Sequence, residues 1–130
     1  VTMRRTDYAG PVEKGRHYSK AVKVTGGSTV YLAGQTYPVE QGKSIPDFTT
    51  QATWIFERID ETLRAAGGSI ENMVTMTVFV TDGRHVPLLH DIRRNHFPTD
   101  NRPCSAVITV HSLPQPGMLL EVQGVAVLPD

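Results

Sequence analysis

The chain has 130 residues, enough for one two-layer core and too few for two. Apolar residues make up 39% and charged residues 20%, the balance of a folded globular protein rather than a disordered or membrane-spanning one. Thirteen Lys/Arg offset thirteen Asp/Glu, so the net charge calls for neither nucleic acid nor an anionic membrane as partner. No apolar stretch approaches the length of a bilayer span, and no charged-then-apolar signal segment opens the chain. The single cysteine, Cys104, excludes an intrachain disulfide framework and fits a reducing, cytoplasmic setting. The first residue is Val1, which leaves the native N-terminus open.

Residues 1–19 carry charges, Gly and Pro without a period and are predicted to form an irregular arm on a domain spanning 1–130. Two short strands follow, near Ala21–Val24 and Thr29–Ala33, joined by the turn-forming Thr25-Gly26-Gly27-Ser28. After a loop over 37–47, Asp47 is a helix N-cap. Phe48, Ala52, Ile55, Ile59, Leu63 and Ala66 then mark one buried helical stripe, which Gly67-Gly68 ends. Met73–Val80 alternates as a strand and is broken by Asp82-Gly83. A second helix runs from about His85 to Phe97, with Val86, Leu89, Ile92 and His96 on one side and Pro87 tolerated in its first turn. Two more strands, Cys104–Val110 and Leu119–Val127, flank a Pro-rich linker.

The order ββ-α-β-α-ββ predicts an α+β fold, one mixed sheet with both helices on one face. On the fifth strand Ala106, Ile108 and Val110 are predicted to face the helices, with Ser105, Val107, Thr109 and His111 facing away. By the same alternation Cys104 faces the helices. The outer sheet face mixes Val, Thr, Leu, Phe and the carboxylate of Glu121. That surface is too apolar to leave to water, since each Å² covered contributes roughly 25 cal/mol, and self-association is the predicted cover.

Several ordered fragments resemble a known family. Val30-Tyr31-Leu32-Ala33-Gly34-Gln35 is similar to its hydrophobic-Ser/Ala-Gly-Gln strand end, and Gln51 to Gly68 to its first helix. Val74 to Asp82 is similar to its "VfvtD" strand. Arg102-Pro103, Leu113-Pro114 and Leu120-Glu121-Val122 resemble its C-terminal signature. The likeness runs from about His17 to Val127, and the chain is identified as a member of the reactive-intermediate deaminases, the Rid or YjgF proteins, once labelled endoribonuclease L-PSP. The resemblance implies a chorismate-mutase-like fold and a homotrimer with ligand clefts between subunits. It also implies cofactor-independent, metal-free hydrolysis of enamines or imines such as 2-aminoacrylate. In the deaminating members an arginine two residues after the proline binds the substrate carboxylate; here Ser105 holds that position, which points to an arginine-lacking branch. Loss of such a contact removes on the order of 1.5–3 kcal/mol.

Glu121 interrupts an apolar strand and is the candidate catalytic group, a proton shuttle, with an interfacial salt bridge as its structural alternative. The resemblance places Tyr18, Gly34, Gln35, His90, Ser105 and Val107 at the substrate. For Tyr18 the plain alternative is a packed core tyrosine, for His90 a solvated helix histidine, and for Gly34 and Gln35 simple turn geometry. Arg102 precedes the proline and reads as a loop anchor. Cys104 reads as a buried structural thiol. No histidine spacing resembles a zinc site. The leading expectation is an enamine/imine hydrolase; a non-catalytic small-ligand-binding or regulatory trimer is the alternative.

Overall fold

The computed structural model describes residues 2–130. The predicted helices and strands form close to their expected limits. Helix α2, Phe48–Ala65, starts where the Asp47 carboxylate accepts from the Thr50 amide at 2.8 Å. It ends where Gly67 takes a left-handed φ of 101° and the Gly68 amide donates to Leu63 at 2.8 Å. Helix α3 is Val86–His96, preceded by a 3₁₀ turn at Gly83–His85, with Pro87 in its first turn.

Strands β3 (Ser28–Thr36), β4 (Met73–Val80), β5 (Cys104–Thr109) and β6 (Leu120–Leu128) build a mixed sheet in the order β3-β6-β4-β5. The β4–β5 pair is parallel and so needs a crossover, which α3 provides. Leu32, Met76, Val78, Val80, Leu120, Val122, Ala126 and Leu128 meet Ala52, Ile55, Ile59 and Leu63 of α2 and Leu89 and Ile92 of α3 in one core. The opposite sheet face carries Phe79, Glu121 and Val125, half-buried, and the exposed Tyr31 and Ile108.

Three expectations are corrected. The 1–19 arm is not irregular: it contains β1 (Arg4–Tyr8) and the short helix α1 (Pro11–Gly15). The inward positions of β1 are Arg5 and Asp7, paired to each other at 2.7 Å, so its period of two is written in charges and has no apolar signature. The second correction concerns β2 (Ala21–Thr25), which pairs with β1 in a separate two-stranded ribbon, while β3 pairs with β6. The sheet is therefore not one but two, and the turn at 25–28 joins strands of different sheets.

The third correction is the face of β5. Parallel register sets Ser105 beside Met76 and Val107 beside Val78, both core residues of β4. Val107 accordingly packs against the core, and Ile108 points out with 44% of its surface exposed. Ser105 and Val107 thus lie on the helix side, and Cys104 and Ala106 on the outer face, the reverse of the sequence reading. Pairing with a central strand decides the face, and apolarity alone points the wrong way.

Candidate functional site

The chain segment that carries Tyr18 is tied down on both sides. His17 adopts φ 62°, uncommon for a residue with a Cβ, and its Nε2 bonds the Phe97 carbonyl. The Ser19 amide donates to the Pro103 carbonyl at 3.0 Å, and Ser19 bridges Cys104 as a short extension of the sheet beyond β5. Asp7 locks this corner by accepting from Ser19 Oγ at 3.1 Å and from the Arg102 amide at 3.0 Å. The Arg102 side chain donates to Thr99 and pairs with Asp100, so it anchors its loop.

Tyr18 is thereby held near Ser105, and a residue that the sequence reading missed stands between them. Arg93 of α3 is 2% exposed; its Nη2 donates to Ser105 Oγ and its Cζ lies 5.8 Å from the Tyr18 ring centroid. Burial pulls its pKa down to about 10, with Tyr18 acting in the opposite sense. Its Nε is buried without a partner among the described residues. The signal was present in the sequence: Arg93 falls four residues after Leu89 and four before Phe97, inside the buried stripe of the helix, where a cation is unusual. His90, half-buried one turn before, has its pKa lowered by burial first and then by Arg93, Arg16 and Arg94. Cys104, half-buried, has its thiol pushed up by burial.

Gly34, Gln35 and Glu121 form a second group. A bulge between Leu32 and Gln35 bends β3 and re-aims its end. Glu121 stands between Thr36 of β3 and Phe79 of β4 in the strand pairing. Its carboxylate covers Gly34 so closely that a Cβ there would sit 2.6 Å from Oε2 and 2.8 Å from Cδ. A side chain at 34 would displace the Glu121 carboxylate from this position. The ion pairs found among the described residues do not involve Glu121. Among the described residues the Gln35 side chain makes one long contact, 3.4 Å to the Ala33 carbonyl.

The structure does not bring the seven sequence-predicted residues together. Tyr18, His90, Ser105 and Val107 lie at the β5 edge on the helix side, while Gly34, Gln35 and Glu121 lie toward the β3 edge. Three strand spacings separate these edges, on the order of 14 Å. A concavity of about 670 Å³, lined by residues 39–45 with Gln115 and Pro116, contains none of the seven. Among the described residues no three His, Cys, Asp or Glu gather as a metal site, and no helix is long and apolar enough to cross a membrane. Chemically, the first group offers a guanidinium, an imidazole and two hydroxyls, and the second a carboxylate able to accept and return a proton.

The sequence pattern of the endoribonuclease L-PSP family matches residues 11–128. A RutC family protein of Aquifex aeolicus is 32% identical over 99 residues, spanning 75% of this chain and 78% of the relative. A Mus musculus protein named 2-iminobutanoate/2-iminopropanoate deaminase is 30% identical over 112 residues, 85% of this chain and 80% of that one. The Rid-family protein YyfB of Yersinia pestis shares the fold with a TM-score of 0.83 at 21% identity, over 95% of this chain and 98% of its own. With its pattern matched over most of its length, its α+β fold shared, and a deaminase among its relatives, the chain belongs to the endoribonuclease L-PSP family, also called the Rid or YjgF family.

Proposed function

We propose that this protein is a cofactor-independent enamine/imine hydrolase, acting on small reactive metabolites of the 2-aminoacrylate type in a cleft between two copies of the chain. The observation that carries the reading is Glu121, a carboxylate in an apolar strand that forms none of the ion pairs among the described residues and is seated directly over the Gly34 backbone. In that position it accepts a proton from a water molecule as the water oxygen adds to the imine carbon. It returns that proton to nitrogen to give a carbinolamine, whose hydroxyl proton then passes through the same carboxylate to nitrogen as the carbon–nitrogen bond breaks, leaving a carbonyl compound and ammonia. General acid–base help of this kind contributes about 10²–10⁴-fold. Tyr18 and His90 orient the substrate, Ser105 and Val107 line its pocket, and backbone groups at Gly34 and Gln35 hold its polar end.

The separation of the two residue groups supports a site shared between subunits. They lie toward opposite edges of the sheet, so a second copy that sets its β3 edge against the β5 edge of the first would unite them. An association of one edge with a different one is head-to-tail, and such contacts form a ring where the rotation between copies closes and an open filament where it does not. A homotrimer is the ring proposed, with the outer sheet face around Tyr31 and Ile108 covered inside it. A reducing, cytoplasmic setting suits the lone Cys104 thiol. The presence of Ser105 where deaminating members carry arginine favours a second reading, a ligand-binding trimer without catalysis. Ammonia release separates the two. In a coupled assay with a pyridoxal-phosphate dehydratase generating 2-aminoacrylate, the protein should speed formation of ammonia and keto acid beyond the spontaneous rate. An unchanged rate with several imino acids refutes the hydrolase.

A further inference from the structure

We infer that Arg93 is the anchor for the negatively charged end of the ligand, a carboxylate-binding guanidinium supplied by helix α3 in place of one on strand β5. The inference deepens the proposed function, on which it rests only for the location of the ligand.

Four observations carry it. Arg93 Nη2 donates to Ser105 Oγ, so the guanidinium reaches the β5 position to which the family resemblance assigns a carboxylate-binding arginine. The short serine side chain at 105 leaves room for an arginine arriving from the helix, and an arginine on the strand would contend for the same space. Arg93 is 2% exposed, yet none of the ion pairs among the described residues includes it. A purely structural role would be met better by Met or Leu, because a buried cation without a counter-charge opposes folding. Its Nε is buried with no partner among the described residues, leaving a donor to satisfy.

The surroundings add positive charge. Arg16, Arg94 and Arg93 all act on His90, and the nearby carboxylate, Asp91, is engaged with Arg94 at 2.6 Å. The Tyr18 ring beside Arg93 fixes the guanidinium plane as aromatic faces do. A planar, oriented guanidinium with a free donor, next to a histidine that further arginines also face, matches a carboxylate, which arginine recognises through two parallel hydrogen bonds.

The test measures binding, so it does not depend on turnover. Pyruvate, an anionic 2-oxo acid, and pyruvamide, its neutral amide, are titrated into the wild-type protein, Arg93→Met and Arg93→Lys, with circular dichroism checking the fold. The wild type should bind pyruvate at least about tenfold more tightly than pyruvamide. Arg93→Met should lose that preference, and Arg93→Lys should keep part of it as a point charge. In the wild type, the Arg93 Nε–Hε resonance should shift with pyruvate and stay in place with pyruvamide, a measurement that stands even if Arg93→Met does not fold. Equal binding of the two ligands by the wild type, an unmoved Arg93 resonance, or wild-type pyruvate affinity in folded Arg93→Met each overturns the inference. Pyruvate binding through Arg93 without imine hydrolysis refutes the catalytic proposal and leaves this one standing. Imine hydrolysis with no preference for the carboxylate does the reverse.

Discussion

Gly34→Ala separates the chemistry of Glu121 from its contribution to the fold. The added methyl would meet Oε2 at 2.6 Å, Cδ at 2.8 Å and Cγ at 3.2 Å, so the conflict is with a side chain and not with backbone. The Glu121 carboxylate can yield by rotating, and regaining ordinary contact distance takes a displacement of about 1 Å. Gly34 does not have a positive φ, so alanine brings no backbone strain and stiffens the unfolded chain, an effect worth about 0.4–1 kcal/mol in favour of folding. Against the modest repacking of one flexible side chain, the net stability change should stay within about 1 kcal/mol, a shift of only a few degrees in Tm. Activity should respond far more, since a misplacement of about 1 Å at a reacting centre can cost on the order of 10²-fold. The coupled dehydratase assay, run beside thermal melts, should therefore show a drop of at least tenfold in turnover with a nearly unchanged melt. Wild-type turnover in a folded Gly34→Ala protein would refute the reasoning, because the Gly34–Glu121 contact would then lie outside the reacting centre.

Glu121→Gln keeps shape and hydrogen bonding while removing the group that takes up and returns the proton, so it should assemble normally and lose at least about tenfold in turnover; unchanged turnover rules out the shuttle. Light scattering at micromolar concentration should give the mass of three subunits, and a monomer would sink both the trimer and the shared cleft. Gln51, fully buried, donates to the Pro46 carbonyl at 3.0 Å and the Gly117 carbonyl at 2.9 Å and accepts from the Leu119 amide at 3.1 Å. Gln51→Leu strands these backbone groups and should destabilise by at least about 2 kcal/mol, read from urea unfolding; a change below the error of the midpoint would refute this. His17, His90 and His96 all have pKa values lowered below 6.5, with burial the first cause in each. The unfolded chain therefore takes up protons first as pH falls below that value, so stability is complete above it and declines beneath it. The urea midpoint should be lower near pH 5.5 than near pH 7.5, and equal midpoints would contradict the sign.

Local chemistry in the sequence was enough to locate most of the elements. Asp47 and Gly67-Gly68 bound α2 because capping needs only a nearby side-chain acceptor and a residue free to turn left-handed. Met73–Val80 declares itself by alternation, since a central strand buries one face whatever its partners are. The ordered family fragments named the fold and singled out Glu121 and Gly34, which the structure sets in contact. Strand β1 stayed illegible because its inward positions are an ion pair, so no apolar rhythm marks it. The face of β5 is set by register against β4, a contact between residues about thirty apart in the chain that local alternation cannot report. Arg93 is the sharpest case: its place in the buried stripe of α3 was visible, but its meaning was not. Only the packing of α3 over β5 brings its guanidinium to Ser105, and with it a positive charge to the strand position where the sequence alone reads an absence.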